Sequence, residues 1–171
     1  MIVEHIEAIP NYECNEDINK LKVQWQTEQE KIASLVKFDP NLTIDQIKLV
    51  GGLDMQFNSE TEAKVCFVVF NMSKQCILTV TMNCIINIPY IPSYLGYREV
   101  PAYINIIEYV KNKHPDLMPQ VIIVDGNGYW HPRRCGSATM LAVMANIPCI
   151  GVAKKLLGFD GMDRKTILPF C

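Results

Sequence analysis

The sequence predicts an α/β domain with a mixed sheet, in the order βββαβαβ behind an N-terminal helix. Three strand-like segments follow one another through short polar connections, a spacing typical of antiparallel neighbours. A helical segment then leads into a strand, a helix and a further strand, which together indicate a parallel, right-handed crossover. An apolar stripe at helical spacing before the strands places the additional helix in front of them.

The composition is that of a single domain without a strongly charged surface. The chain has 171 residues, is 49% hydrophobic and carries a net charge of −2, so contact with nucleic acid must use local basic clusters. Seven cysteines without C-x-x-C spacing favour neither a disulfide framework nor a zinc site, and they predict a reduced, intracellular compartment. Prolines and asparagines interrupt the charge-poor stretches, so we expect no membrane span.

The N-terminal helix is predicted over about residues 16–37, because its apolar side chains recur every three or four positions. Asn15 is a suitable N-cap, and the Asp39-Pro40 step should end the helix, because a residue before proline avoids helical backbone angles. We therefore expect residues 1–40 to form a helical segment packed on a core domain of residues 41–171. The apolar positions are Ile18, Leu21, Trp25, Ile32, Leu35 and Val36.

The three strands of the meander differ in their side-chain pattern. The first is predicted at residues 47–50 and continues through two glycines to Asp54. The second, at residues 65–70, is almost wholly apolar, as in a central strand. The third, at residues 78–86, alternates apolar and polar side chains, as in a strand with one buried face.

The second half of the chain predicts two helices and two strands. Val100, Ile104, Ile107 and Val110 fall on one face of a helix that begins around Arg98 and tolerates Pro101 in its first turn. A strand at residues 121–124, a helix at about 136–145 and a strand at 149–152 complete the order.

Three acidic residues stand at the ends of predicted elements: Asp54, Glu99 and Asp125. Ligands of open α/β sheets bind beyond the carboxyl ends of the strands, which is where Asp125 lies. If Asp54 lies on an adjacent strand, the two carboxylates converge, and their repulsion implies a bound hard cation. The alternatives are a simple turn at Asp125, a surface turn at Asp54 and a helix-dipole role for Glu99.

Glycines and basic residues follow Asp125. Gly126 and Gly128 allow other groups to approach the backbone closely, and the segment His131-Pro132-Arg133-Arg134 can hold a phosphate. Lys154 and Lys155 follow the last strand, where a cation can meet a phosphate. A solvated lysine pair is the alternative for these two residues.

The segment Pro89-Tyr90-Ile91-Pro92 predicts a stiff, extended, projecting loop, because each proline restricts the backbone. Rigid apolar side chains of this kind wedge into a base stack or fill the gap left by an extruded nucleotide. The alternative is a proline-rich strand exit in which Tyr90 packs on its own domain.

Five sequence blocks resemble the endonuclease V family, a family of inosine-directed nucleases with a ribonuclease H-like fold. They occur in family order and cover roughly residues 49–157. The blocks are residues 50–54 (VGGLD), 89–92 (PYIP) with 95–99 (LGYRE), 124–128 (VDGNG), 131–136 (HPRRCG) and 147–155 (IPCIGVAKK).

The resemblance implies a metal-dependent endonuclease that cuts the second phosphodiester 3′ to inosine or deoxyinosine. Asp54, Asp125 and Glu99 would hold Mg²⁺, or alternatively Mn²⁺, and Lys154 would offset charge on the phosphate. The expected partner is inosine-containing single-stranded RNA or DNA, bound by a monomer in the cytoplasm or nucleus. The base wedge would be Pro89, Tyr90, Ile91 and Pro92, the base pocket Leu95, Gly126, Gly128 and Gly136, and the backbone contacts His131, Arg133, Arg134 and Lys155.

The chain departs from the family pattern at three places. Ser93 replaces a usual glycine, and Thr139-Met140 replace a common Ser-His pair. Family members also continue into a helix that bears a histidine near the metal, so we expect a domain that is C-terminally incomplete. A catalytically weak or inert binder of inosine-containing nucleic acid is therefore an alternative, as is a general ribonuclease H-like nuclease.

Overall fold

The computed structural model describes residues 1–154 and Leu157, and this part of the chain contains one seven-stranded sheet. The strands are β1 (Ile2–Ile6), β2 (Asn11–Glu13), β3 (Leu49–Phe57), β4 (Glu62–Asn71), β5 (Cys76–Asn87), β6 (Val121–Asp125) and β7 (Cys149–Val152). The α-helices are α1 (Ile18–Ser34), α2 (Leu95–Lys113) and α3 (Ser137–Ala145). Short 3-10 helices occupy Ile44–Gln46 and Pro115–Leu117.

The sheet has the strand order β1-β5-β4-β3-β6-β7, and β2 also pairs with β5. β3, β4 and β5 are antiparallel neighbours, which confirms the predicted meander. β6 pairs in parallel with both β3 and β7, which confirms the predicted crossover through α3. The predicted order from the meander to the last strand is therefore confirmed.

Two strands at the N-terminus were not predicted. β1 and β2 run parallel to β5 along its outer edge, so residues 1–13 belong to the same sheet as the rest of the domain. The boundary expected at residue 40 does not separate them from the core. Both strands are short and mostly exposed, and they therefore lack the apolar alternation that marks a half-buried strand.

The main core lies between the sheet and α2. Fully buried side chains of β4 and β5 pack against the apolar face of α2, and Val100, Ile107 and Val110 lie in this core as predicted. α2 begins at Leu95, three residues before the predicted start, so Pro101 lies inside the helix rather than in its first turn. None of the described helices is both long and apolar enough to cross a membrane.

Helix α1 packs on the first turn of α2 and forms a second, smaller core. Trp25 stacks on Tyr97 with ring centroids 4.4 Å apart, and it also contacts Tyr94. This packing explains the early start of α2, because it orders the tyrosines that precede Arg98. The N-cap of α1 is Asp17, whose carboxylate accepts the backbone N–H groups of residues 19 and 20, and not Asn15 as predicted.

Candidate active site

The pairing of β3 with β6 brings two of the predicted acids together. Leu53 is the register partner of Val124, so Asp54 and Asp125 follow at neighbouring positions of parallel strands. Asp54 lies within β3 rather than at its end, because β3 continues to Phe57. Both carboxylates line an open cleft of about 670 Å³ on one face of the sheet, together with Ile123, Val152 and Lys154.

Glu99 is the third acid of this site, and it reaches the others from α2. It is buried, and this burial, with the negative charges of Asp125 and Asp54, raises the pKa of Glu99 to about 8. A hydrogen bond from Ser137 opposes the shift. Its Oε2 has no hydrogen-bond partner among residues 1–154 and Leu157. Glu99 is therefore an electrostatically unfavourable carboxyl group that a nearby cation would stabilise.

Lys154 supplies one positive charge to the site. Its Nζ lies 2.8 Å from Oδ2 of Asp125, and the hydrogen bond to this carboxylate raises the pKa of the lysine. Asp54 instead accepts a 2.8 Å hydrogen bond from the backbone N–H of Met55. The charge of Arg98 also lowers the pKa of Glu99, but the net shift stays upward, so these cations do not offset the effect of burial and the two neighbouring acids.

The donor set suits a hard divalent cation, because it consists of carboxylate oxygens that carry excess negative charge. In the part of the chain that the structure describes, no three Asp, Glu, His or Cys side chains already form a metal-binding cluster. The three predicted ligands are thus within electrostatic reach of one another, and their joint coordination of a metal stays a prediction.

A second, smaller cavity of about 120 Å³ lies beside the wedge segment, and it contains half of the predicted base pocket. Leu95 and Gly136 line this cavity, and so do Tyr90 and Asn127. Gly126 and Gly128 do not line it. Their predicted role as pocket walls therefore finds no support in this arrangement.

The two glycines instead allow the close approach of neighbouring segments. Gly126 has a φ angle of 155°, which side chains with a Cβ rarely adopt. Gly128 lies directly against the backbone of Gly151 in β7. A Cβ atom at Gly136 would lie only 2.1 Å from the carbonyl oxygen of Asn127, so this pocket residue must also be glycine for steric reasons.

The wedge segment divides into exposed and buried residues. Tyr90 and Pro92 are exposed, and Tyr90 lies at the rim of the small cavity. Ile91 is buried against Leu21 and Trp25 in the smaller core. The prediction for Ile91 is corrected accordingly, because its side chain anchors the segment and does not project.

The carbonyl oxygen of Ser93 is held by three donors from distant parts of the chain. Ser93 has a positive φ of 70°, and its oxygen accepts hydrogen bonds from Nε2 of Gln29 at 3.1 Å, Nε2 of His131 at 3.0 Å and Nη2 of Arg133 at 2.9 Å. These bonds fix the backbone at the point where the wedge segment enters α2.

His131 is enclosed in the protein. It is only 2% exposed, and its Nδ1 accepts the backbone N–H of Arg133, so Nε2 carries the proton donated to Ser93. Burial and the charge of Arg133 lower the pKa of His131 to about 4. The geometry gives His131 a positioning role within the protein rather than the backbone contact expected from the sequence. Lys155, another expected backbone contact, lies outside the described residues.

Gln29 is a site residue that the sequence analysis missed. Its buried amide donates to the carbonyl of Cys135 at 2.8 Å, and its Oε1 accepts from Nε of Arg133 at 2.6 Å. With its bond to Ser93, it joins α1 to the wedge segment and to the basic loop. One signal was available: Gln29 follows Leu21 and Trp25 at helical spacing, so it is a polar residue on the buried face.

Comparisons with known proteins identify the family. The family model for endonuclease V matches residues 30–166. Endonuclease V of Mus musculus is 34% identical over 154 residues, covering 84% of this chain and 45% of that protein. Endonuclease V of Homo sapiens is 33% identical over 162 residues, covering 84% of this chain and 54% of that protein. The chain thus spans about half the length of these relatives.

Solved structures give the same result for the fold. Endonuclease V of Ciona intestinalis, in complex with a DNA containing an inosine followed by a ribo-adenosine, matches with a TM-score of 0.83 and 31% identity. This match covers 88% of the present chain and 66% of the other. Human endonuclease V matches with a TM-score of 0.76 at 33% identity, and the match covers 83% of the present chain and 63% of the human one. The ribonuclease H-like fold is confirmed, and the chain belongs to the endonuclease V family.

Proposed function

We propose that this chain is an inosine-directed endonuclease that hydrolyses the second phosphodiester 3′ to the modified base. The observation that carries the proposal is the convergence of Asp54, Glu99 and Asp125. A small cavity with Tyr90 at its rim supplies a separate place for a base. The Ciona intestinalis relative, which was solved with inosine-containing DNA, supports the choice of base.

Asp54, Asp125 and Glu99 would hold a divalent cation, Mg²⁺ or Mn²⁺. When bound at such a site, the cation polarises the scissile phosphate and lowers the pKa of the attacking water. The buried Oε2 of Glu99, which has no hydrogen-bond partner within the described residues, supports this assignment, because a like-charged cluster is otherwise costly to keep in the fold.

The other residues of the site position the strand. Lys154, which is exposed beside Asp125, would meet negative charge that grows on the phosphate during cleavage. Tyr90 would fill the place of the extruded base, while Leu95 and Gly136 would contact the base in the cavity. The proposed partner is single-stranded RNA or DNA with an inosine, bound by a monomer.

Cleavage of matched oligonucleotides tests the function. With Mg²⁺, the wild-type protein should cut RNA or DNA strands that contain one inosine and leave the same strands without inosine intact. Asp125→Asn removes a charged oxygen from the site, so it should lower the cleavage rate by at least about 100-fold while binding persists. The matched control is Asp116→Asn, an exposed aspartate after α2, which should cut like the wild type.

Two outcomes would contradict the proposal. Inosine-selective binding without cutting, at one protein per strand, would indicate a binding protein. Equal cutting of strands with and without inosine would indicate a nuclease without base selectivity.

A further inference from the structure

Three large aromatic side chains are exposed, and two of them, Tyr129 and Trp130, lie in the loop beside the small cavity. Phe38 is 73% exposed, Tyr129 is 37% exposed and Trp130 is 57% exposed. The ring of Phe38 meets that of Tyr129 edge to face, with centroids 5.3 Å apart. The guanidinium group of Arg134 lies over the Tyr129 ring at 5.3 Å from its centroid. We call these four residues the aromatic platform.

The platform is continuous with the candidate site along the chain. Tyr129 and Trp130 lie between Asn127 and His131, and both of these flanking residues line the small cavity. The loop leaves β6 at Asp125, so the same segment carries an acid of the site, a cavity wall and three of the four platform residues, all except Phe38.

The loop that carries the platform is held in one conformation. The backbone N–H of His131 donates to the carbonyl of Tyr129 at 2.9 Å, and that of Arg134 donates to the carbonyl of His131 at 2.8 Å. The ring of His131 is in turn hydrogen-bonded to Ser93. Tyr129 and Trp130 are therefore presented by a fixed turn, which lowers the ordering cost of binding.

Exposed aromatic clusters mark interaction surfaces, because water is a poor environment for them. Flat rings beside a cation suit nucleobases, since every base has a π-face and the strand carries negative charge. A protein partner would use similar chemistry, but the location beside the cavity and the acids favours nucleic acid.

We infer that the aromatic platform is a stacking surface for unpaired bases of the strand that flank the inosine. The inference rests on the proposed function, because it takes the small cavity as the place of the modified base. Stacking accepts any base, so the platform adds affinity and leaves the choice of inosine to the cavity.

Binding of fluorescently labelled single-stranded oligonucleotides, measured by anisotropy without divalent cations, tests the platform. Trp130→Ala should weaken binding about tenfold, and by the same factor for strands with and without inosine, because only stacking is lost. Trp130→Phe should bind nearly as the wild type, since it keeps an aromatic face. The matched control is Phe70→Ala: Phe70 is 38% exposed on β4, opposite Val50 and away from Asp54, and its loss should not change affinity.

Tryptophan fluorescence gives a second readout that loss of stability would not imitate. The chain has two tryptophans, and Trp25 is buried, so quenching by an added oligonucleotide should come from Trp130. The quenching should disappear in Trp130→Phe although that variant still binds. Unchanged affinity in Trp130→Ala, or quenching that persists in Trp130→Phe, would overturn the inference.

The two proposals fail in different ways. Loss of affinity in Trp130→Ala, with no cutting of inosine strands by the wild type, would support the platform and contradict the nuclease. Inosine-selective cutting, with unchanged affinity in Trp130→Ala, would support the nuclease and contradict the platform.

Discussion

Glu99 illustrates how a proposed metal ligand can oppose stability. Its side chain is buried beside two other acids, and this environment raises its pKa to about 8. A buried carboxyl group with like-charged neighbours is a cost to the fold, and a bound cation would offset it. The sequence indicated Glu99 as a candidate acid of the site, but it did not show that the side chain is buried.

Replacement of this carboxyl group should stabilise the metal-free protein. At neutral pH the unfolded chain carries Glu99 ionised, whereas a pKa of about 8 means that folding must protonate it at a cost. Glu99→Gln keeps the shape and removes this cost, so we expect the free energy of unfolding at neutral pH to rise by roughly 1–3 kcal/mol. Urea unfolding in the presence of EDTA measures the change, with the exposed Glu108→Gln of the same helix as control. Added Mn²⁺ should stabilise the wild type more than the variant. A variant less stable than the wild type under EDTA would contradict this account.

The buried His131 should make stability depend on pH. Its pKa is lowered to about 4 from an ordinary value of 6.5, so the unfolded chain binds this proton before the folded protein does. The contribution of neutral His131 to the free energy of unfolding is fully present above about pH 6.5 and amounts to about 3 kcal/mol. It is lost as the pH falls to about 4. Thermal or urea unfolding across this range should show the loss in the wild type and a smaller loss in His131→Asn. His5→Asn, at an exposed histidine, serves as control, and an identical pH profile in His131→Asn would rule out this origin.

At the scale of elements, Gln29 connects α1 to the wedge segment and to the basic loop. Its three hydrogen bonds join residues that are 64, 104 and 106 positions apart in the sequence. Helix α1 therefore has more than a packing role, because it determines where Ser93 and the neighbouring Tyr90 lie. The apolar stripe of α1 predicted its buried face, while the partners of Gln29 lie in two separate segments, the wedge segment and the loop between β6 and α3.

Loss of this amide should affect both stability and base selectivity. Gln29→Ala leaves the buried carbonyl of Cys135 without its donor, so we expect a destabilisation of about 2 kcal/mol. The wedge segment should also become more mobile, and discrimination between strands with and without inosine should fall. Urea unfolding and paired cleavage assays measure the two effects, with the exposed Gln26→Ala of the same helix as control. Loss of stability with unchanged selectivity would restrict Gln29 to a structural role.

At the scale of the whole molecule, the net charge of −2 excludes a broad electrostatic surface for nucleic acid. Two cations lie at the features proposed to bind the strand: Lys154 beside Asp125, and Arg134 over the Tyr129 ring of the aromatic platform. Arg133, in contrast, uses its side chain to hold Ser93 and Gln29. Binding should therefore depend more on stacking and cavity contacts than on phosphate charge.

The salt dependence of binding measures how much phosphate charge contributes relative to stacking and cavity contacts. With two phosphate contacts, a plot of log K against log salt concentration for a single strand should have a slope between about −1 and −2. Lys154→Gln should make the slope less negative by about 0.7, whereas Trp130→Ala should lower affinity with little change in slope. Anisotropy titrations at several salt concentrations measure both. A steep slope that neither variant changes would mean that other cations carry the binding.

The sequence was enough to predict the elements with clear periodicity, which are the meander and the crossover, and to select Asp54, Glu99 and Asp125 as candidate acids. Local patterns suffice for these, because periodicity follows directly from which face is buried. Three features became apparent only in the folded chain: Ile91 is an anchor, His131 and Arg133 hold Ser93, and β1 and β2 extend the sheet. The physical reason is that these roles depend on hydrogen bonds and packing between segments far apart in the chain, which no local pattern records.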